Sequence, residues 1–208
     1  MTILFQGDSI TDCGRIESGG HGYEKNEVGP GYPGLLKSRI GCDYPAADIQ
    51  FINRGISGNR IVDLYARWRV DCLNLSPDIL SILIGVNDSW HENYGNGVDV
   101  PRAERIYREI LTWTRETLPA CRFVLLEPFA FSFGAGEALA AEVRQRGAFT
   151  KRLAEEFGAT FLPLQSMFDD ACKSSAPEHW SPDGAHLTPA GHQLIADAWY
   201  AAVKPFLG

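Results

Sequence analysis

Ile79-Leu80-Ser81-Ile82-Leu83-Ile84 is the stretch on which the reading of the fold turns. Apart from Ser81 every side chain in it is a large aliphatic, and Gly85 follows directly. A short apolar run of this kind reads as a strand covered on both faces, the situation of a central strand in a parallel sheet. Phe123-Val124-Leu125-Leu126 has the same character, so these two runs are expected to form the middle of the sheet. Working outward, further strands are expected at Ile3-Leu4-Phe5, Ile49-Gln50-Phe51-Ile52 and, more weakly patterned, Thr160-Phe161-Leu162. Helical patterns fill the gaps, at Pro33 to Arg39, Ile61 to Leu73, Pro101 to Thr117, Gly136 to Phe157 and Pro189 to Phe206. Several carry Pro near the first turn, where its missing N–H costs little. Phe149, Leu153 and Phe157 recur every fourth residue, and Leu194, Ile195, Ala198, Trp199, Ala202 and Val203 form one stripe, which marks core-facing sides. Strand and helix in alternation predict a three-layer α/β/α domain spanning residues 1–208, with a parallel sheet of about five strands in flavodoxin-like order.

The chain has 208 residues, 45% hydrophobic and 22% charged, an ordinary globular composition with enough length to bury a full core. Its formal net charge of −7 has the wrong sign for binding nucleic-acid phosphates or an anionic membrane surface. No apolar run approaches the roughly 18 residues needed to span a bilayer, and no export signal precedes the first strand, so a cytoplasmic protein is expected. The five cysteines are widely spaced without a Cys-x-x-Cys pair, and free thiols are the expectation.

Two irregular segments, Thr11 to Gly31 and His91 to Val100, leave the carboxyl ends of expected strands, where open α/β sheets place their ligand sites. Gly29-Pro30-Gly31-Tyr32-Pro33-Gly34 imitates the dinucleotide fingerprint G-x-G-x-x-G. It lacks a strand immediately before it, and Pro30 and Pro33 each remove an N–H donor, so it is read as a tight turn into a helix and no cofactor is expected.

Four short strings carry chemistry: Gly7-Asp8-Ser9-Ile10-Thr11, Gly55-Ile56-Ser57-Gly58-Asn59, Gly85-Val86-Asn87-Asp88 and Asp183-Gly184-Ala185-His186-Leu187. Singly each is ordinary turn composition. Together they supply every part of an acyl-transfer site. Ser9 is a hydroxyl nucleophile just after the first strand, and His186 is a base whose imidazole ordinarily titrates near about 6.5. Asp183 stands three residues earlier, within reach of the other ring nitrogen. Gly58 can bring its backbone N–H close because no Cβ intrudes, Asn87 offers a side-chain amide, and the Ser9 N–H is a third oxyanion donor. A Gly-x-Ser-x-Gly elbow is absent.

These four strings resemble the four blocks of the SGNH, or GDSL-type, serine esterases and lipases, and the resemblance runs from the first strand to the last helix. It implies a nucleophile at Ser9, an oxyanion hole of Ser9, Gly58 and Asn87, and a triad completed by Asp183 and His186, with neither cofactor nor metal. Gly7 to Arg15, Asn53 to Asn59 and Asp63-Leu64-Tyr65-Ala66-Arg67-Trp68 are similar to the intracellular acetylxylan esterases of that group. That closer likeness implies removal of O-acetyl groups from xylo-oligosaccharides or similar small acetylated carbohydrates, and it leaves a homo-oligomer open. The alternatives are a small-ester esterase, thioesterase or lysophospholipase, an acyltransferase, or a sugar-binding protein without hydrolysis.

Around the site, Asp8 is read as fixing the loop that carries Ser9 rather than as a second base, and Asp88 similarly. Asp12 and Arg15 are expected either to pair across the first loop or to contact a sugar. Trp90, His91 and Trp180 offer aromatic faces for a pyranose or acyl group, or else form a lid or an oligomer contact. A metal site from His179, Asp183, His186 and His192 is the rival reading of the last block, disfavoured because it would tie up the base that Ser9 needs.

Overall fold

The computed structural model describes residues 1–16 and 27–207. In chain order the elements are β1 (Thr2–Gly7), α1 (Ser9–Asp12), α2 (Tyr32–Asp43), β2 (Gln50–Asn53), α3 (Ile61–Asp71), β3 (Ile79–Leu83), α4 (Val86–Trp90), α5 (Val100–Thr117), β4 (Arg122–Leu126), α6 (Gly134–Phe157), β5 (Thr160–Leu162), α7 (Leu164–Ala171), α8 (Pro177–Trp180) and α9 (Pro189–Val203). The strands form one five-stranded sheet in the order β2-β1-β3-β4-β5, every neighbouring pair parallel. The flavodoxin-like order expected from the sequence is the one found.

Strand side chains alternate between two apolar layers, as the pleat requires. Ile3, Phe5, Ile79, Leu83, Val124 and Leu126 pack against Leu36 and Ile40 of α2 and Ile195 and Trp199 of α9. Leu4, Leu80, Ile82, Phe123 and Leu125 pack against Leu64 and Trp68 of α3, Ile110 and Leu111 of α5, and Leu153 of α6. Ser81, the polar exception in the deciding stretch, is fully buried and accepts the indole N–H of Trp199 at 3.0 Å. The hydroxyl therefore answers a donor that would otherwise be stranded in the core.

The glycine-rich string Gly29 to Gly34, which runs into the first turn of α2, serves the chain's own packing. A Cβ at Gly34 would stand 2.0 Å from the Gly29 carbonyl oxygen, a contact only glycine permits. Single-turn elements that the periodicity passed over are α1, α4 and α8, together with the two-turn α7. The segment read as irregular from Thr11 opens inside α1, and residues 17–26 of it lie outside the described residues. The second irregular segment starts with a 3₁₀ turn, His91–Tyr94, and is tied back by Val98 N–H to the Asp88 carbonyl. Among the described residues no helix is long and apolar enough to cross a membrane, and all five cysteines are free.

Candidate active site

The sheet order reverses between β1 and β3, and open α/β sheets form a crevice at the carboxyl ends of such a pair. The first and third strings occupy those ends. Asp8 accepts the Ile10 N–H at 3.0 Å and so caps α1, which puts Ser9 on its first turn. Gly85 leaves β3 at φ +135° and starts α4, where Asn87 is buried at 8% exposure.

Ser9 and His186, 177 positions apart, meet with Ser9 Oγ 3.0 Å from His186 Nε2. On the far side of the ring, Nδ1 lies 2.7 Å from Asp183 Oδ2. Asp183 Oδ1 meanwhile accepts the backbone N–H groups of Ala185 at 2.9 Å and His186 at 2.8 Å, which fixes the carboxylate in the turn. Partial burial pulls the Asp183 carboxyl upward, but the His186 hydrogen bond and the two backbone donors outweigh it and hold it below its ordinary value. An ionised Asp183 accepts only, so the imidazole proton belongs on Nδ1 and the Nε2 lone pair faces the Ser9 hydroxyl.

The Gly55–Asn59 loop is held from both sides. Asp12 Oδ2 accepts from Ser57 N–H at 3.1 Å and from Ser57 Oγ–H at 2.7 Å. Asp88 receives the Ile61 N–H on its two carboxylate oxygens at 3.1 and 3.2 Å. Asn87 Nδ2 donates to the Asn59 carbonyl at 3.2 Å, which uses one of its hydrogens and orients the other. Gly58 has φ +82° with open space where a Cβ would stand. Glycine is required there by the left-handed backbone rather than by close approach of a neighbouring atom. No acceptor among the described residues takes the Gly58 N–H.

A cavity of about 10 Å³ opens beside Ser9, Asn87 and His186, walled by Ile10, Val86, Ala185 and Trp90. The Trp90 ring lies 6.2 Å from the His186 ring, centroid to centroid. His91 packs edge-on against Tyr94 at 6.2 Å and does not line this cavity. Trp180 is half-buried, stacks edge-on with His179 at 4.6 Å and packs on the core beneath α9, also away from the cavity. Arg15 donates to the Gly55 carbonyl at 2.9 Å and lies 3.6 Å from Asp12, so both side chains brace the first loop against the second.

His192 makes its bonds outside the relay. It stacks on Tyr32, accepts the Tyr32 N–H on Nδ1 at 3.3 Å, and lies 3.3 Å from Cys13 Sγ through Nε2. Burial, reinforced by the His186 charge, pushes its pKa down to about 4, so it is neutral at physiological pH. Among the described residues no three His, Cys, Asp or Glu side chains converge as metal ligands.

Beneath Ser9 lies a feature no sequence pattern gave. Asp8 and Asp88 are both buried, at 1% and 0% exposure, and burial pushes each carboxyl up to about 7. Their mutual repulsion adds to the rise at Asp88, while the buried Arg146 opposes it there. Asp8 Oδ2 has no hydrogen-bond partner. A carboxyl raised in the folded state holds its proton longer than in the unfolded chain, so Asp8 costs stability progressively as pH rises from about 4 to 7. Asp8→Asn removes that cost while keeping an acceptor for the Ile10 N–H. Thermal melts at pH 5 and pH 8 should show the variant gaining on the wild type by on the order of a few kcal/mol at the higher pH. A difference in stability that does not change with pH would contradict this.

Hydroxyl, imidazole and carboxylate in line at the carboxyl end of a parallel sheet, beside the Gly58 N–H and the Asn87 amide, define an acyl hydrolase. The chain belongs to the GDSL-like Lipase/Acylhydrolase family, whose model matches residues 5–194. It is 33% identical over 205 residues to the acetylxylan esterase of Geobacillus stearothermophilus, covering 95% of this chain and 91% of that one. The crystal structure of that esterase superposes with a TM-score of 0.87 at 31% identity over 97% of this chain and 93% of its own. A Parabacteroides merdae protein described as a GDSL-like lipase superposes with a TM-score of 0.91 at 40% identity, covering 98% and 95% of the two chains. An α/β hydrolase from the Lake Arreo metagenome gives 0.87 at 32% identity over 98% and 94%. The protein is accordingly a carboxylic ester hydrolase with the SGNH fold.

Proposed function

We propose that the protein is a serine esterase that removes O-acetyl groups from small acetylated carbohydrates, xylo-oligosaccharides among them, through an acyl-enzyme on Ser9. The observation that carries this is the unbroken relay from Asp183 through His186 to Ser9, with contacts of 2.7 and 3.0 Å. The likeness to an acetylxylan esterase over 95% of the chain supports the acetyl ester and the carbohydrate alcohol. The net charge of −7 favours a neutral substrate over a phosphorylated one.

In this mechanism Ser9 Oγ attacks the ester carbonyl carbon as its proton passes to His186 Nε2. The carbonyl oxygen becomes an oxyanion held by the N–H groups of Ser9 and Gly58 and the second amide hydrogen of Asn87. Asp183 stabilises the imidazolium so formed. Collapse breaks the carbon–oxygen bond to the sugar, and His186 gives its proton to the departing sugar hydroxyl. Water, deprotonated by the same imidazole, then attacks the acetyl-Ser9 carbonyl and releases acetate with the free enzyme.

The purified protein should release acetate from acetylated xylo-oligosaccharides faster, in kcat/KM, than from acetylated monosaccharides, acyl-CoA or lysophospholipid. Preference for acyl-CoA or lysophospholipid would replace the carbohydrate reading. Formation of a new acetyl ester on an added alcohol, outrunning acetate release, would make the enzyme an acyltransferase.

A further inference from the structure

From the cavity beside Ser9 we infer that Trp90 sets the acyl-chain length the enzyme accepts and is the removable wall of a methyl-sized pocket. This rests on the esterase reading above and adds to it a specificity-determining residue.

The directions around the attacked carbon are fixed by its neighbours. Ser9 Oγ supplies one bond, and the oxygen must face the N–H donors of Ser9, Gly58 and Asn87. The departing alcohol must face His186 Nε2 to receive its proton. The His186 and Asp183 side chains are 46% and 42% exposed, so that side opens to solvent and leaves room for a sugar. The acyl substituent takes the remaining direction, into the cavity of about 10 Å³. Space of that size holds about one water molecule, and a methyl group is of similar bulk.

The walls are apolar and unequal in their freedom. Ile10, Val86 and Ala185 are exposed by only 4%, 5% and 2%, and each is the immediate chain neighbour of Ser9, Asn87 or His186. None of them can retreat without moving a reacting group. Trp90 is half-buried at the last position of α4, one turn beyond Asn87. Its ring lines the pocket together with those walls and rests near the His186 ring. A longer acyl chain would meet this indole first.

The test compares kcat/KM for 4-nitrophenyl acetate, butyrate and hexanoate in wild type, Trp90→Ala and Trp90→Leu. The wild type should prefer acetate over butyrate by on the order of tenfold or more, the scale on which a pocket discriminates by methylenes. Trp90→Ala should raise the butyrate-to-acetate ratio by a similar factor, with Trp90→Leu between. A merely structural tryptophan would lower turnover of every ester together and leave the ratio unmoved. An unchanged ratio in an active variant, or equal wild-type use of hexanoate and acetate, overturns the inference alone. If Trp90→Ala does not fold, Trp90→Leu carries the same comparison. Wild-type protein inert towards every ester overturns the esterase reading and this inference with it.

Discussion

Ser9→Ala is expected to lower kcat for 4-nitrophenyl acetate by on the order of 10⁴-fold or more, leaving the background that oxyanion donors and binding alone provide. The substitution removes one oxygen from the first turn of α1 and no core contact, so the melting temperature should stay close to that of the wild type. Rapid acid quenching of wild type with substrate should trap an acetyl group on the peptide containing Ser9, and the variant should carry none. A variant within tenfold of the wild-type rate would remove Ser9 from the mechanism. It would also redirect attention to Asp8, the other polar side chain at the end of β1. With its carboxyl buried at 1% exposure and its Oδ1 committed to Ile10, Asp8 is poorly placed to receive a substrate.

Much of the fold was legible because the parallel sheet writes itself into sequence. Strands buried on both faces need apolar residues at every position, and Ile79 to Leu83 and Phe123 to Leu126 have them almost without exception. What escaped was whatever lacks a period. The helices α1, α4 and α8 are one turn long, too short for a repeat of 3.6 residues to show. Their signals were local: Asp8 before Ser9 as an N-cap, and Pro177 at the opening of α8. The four chemical strings were visible as strings, and their convergence follows from topology, since β1 and β3 are neighbours.

Less visible was the second use of the aspartates. Asp12 and Asp88 hold the Ser57 and Ile61 ends of the Gly58 loop, and neither role can be read from spacing because the partners are 45 and 27 residues away. Trp180 is a case in which chain position left the surroundings open. Its place three residues before Asp183 left a sugar or acyl contact, a lid and an oligomer contact open, and in the structure the half-buried indole packs against the core cluster while Trp90 lines the cavity beside Ser9.

The geometry of the last block makes Asp183→Asn the most discriminating change after Ser9→Ala. The carboxylate accepts from three donors through its two oxygens: Oδ1 from the Ala185 and His186 N–H groups, and Oδ2 from His186 Nδ1. An asparagine of the same shape must keep its carbonyl oxygen on the two backbone donors, which turns its NH₂ towards Nδ1. That nitrogen must then accept, the ring proton moves to Nε2, and the imidazole can no longer take the Ser9 proton. A loss of kcat on the order of 10⁴ is expected with little change in KM, because the change lies on the Nδ1 side of the ring, away from Ser9. Acid stability supplies an independent readout. The Asp183 carboxyl is held below its ordinary value of 3.8, so its pairing contributes stability above that pH and loses it as pH falls through the folded-state value. Asp183→Asn should therefore show a shallower decline in melting temperature on acidification. A loss of kcat below tenfold would mean that His186 keeps its productive tautomer without Asp183, and the relay would reduce to a Ser9–His186 dyad.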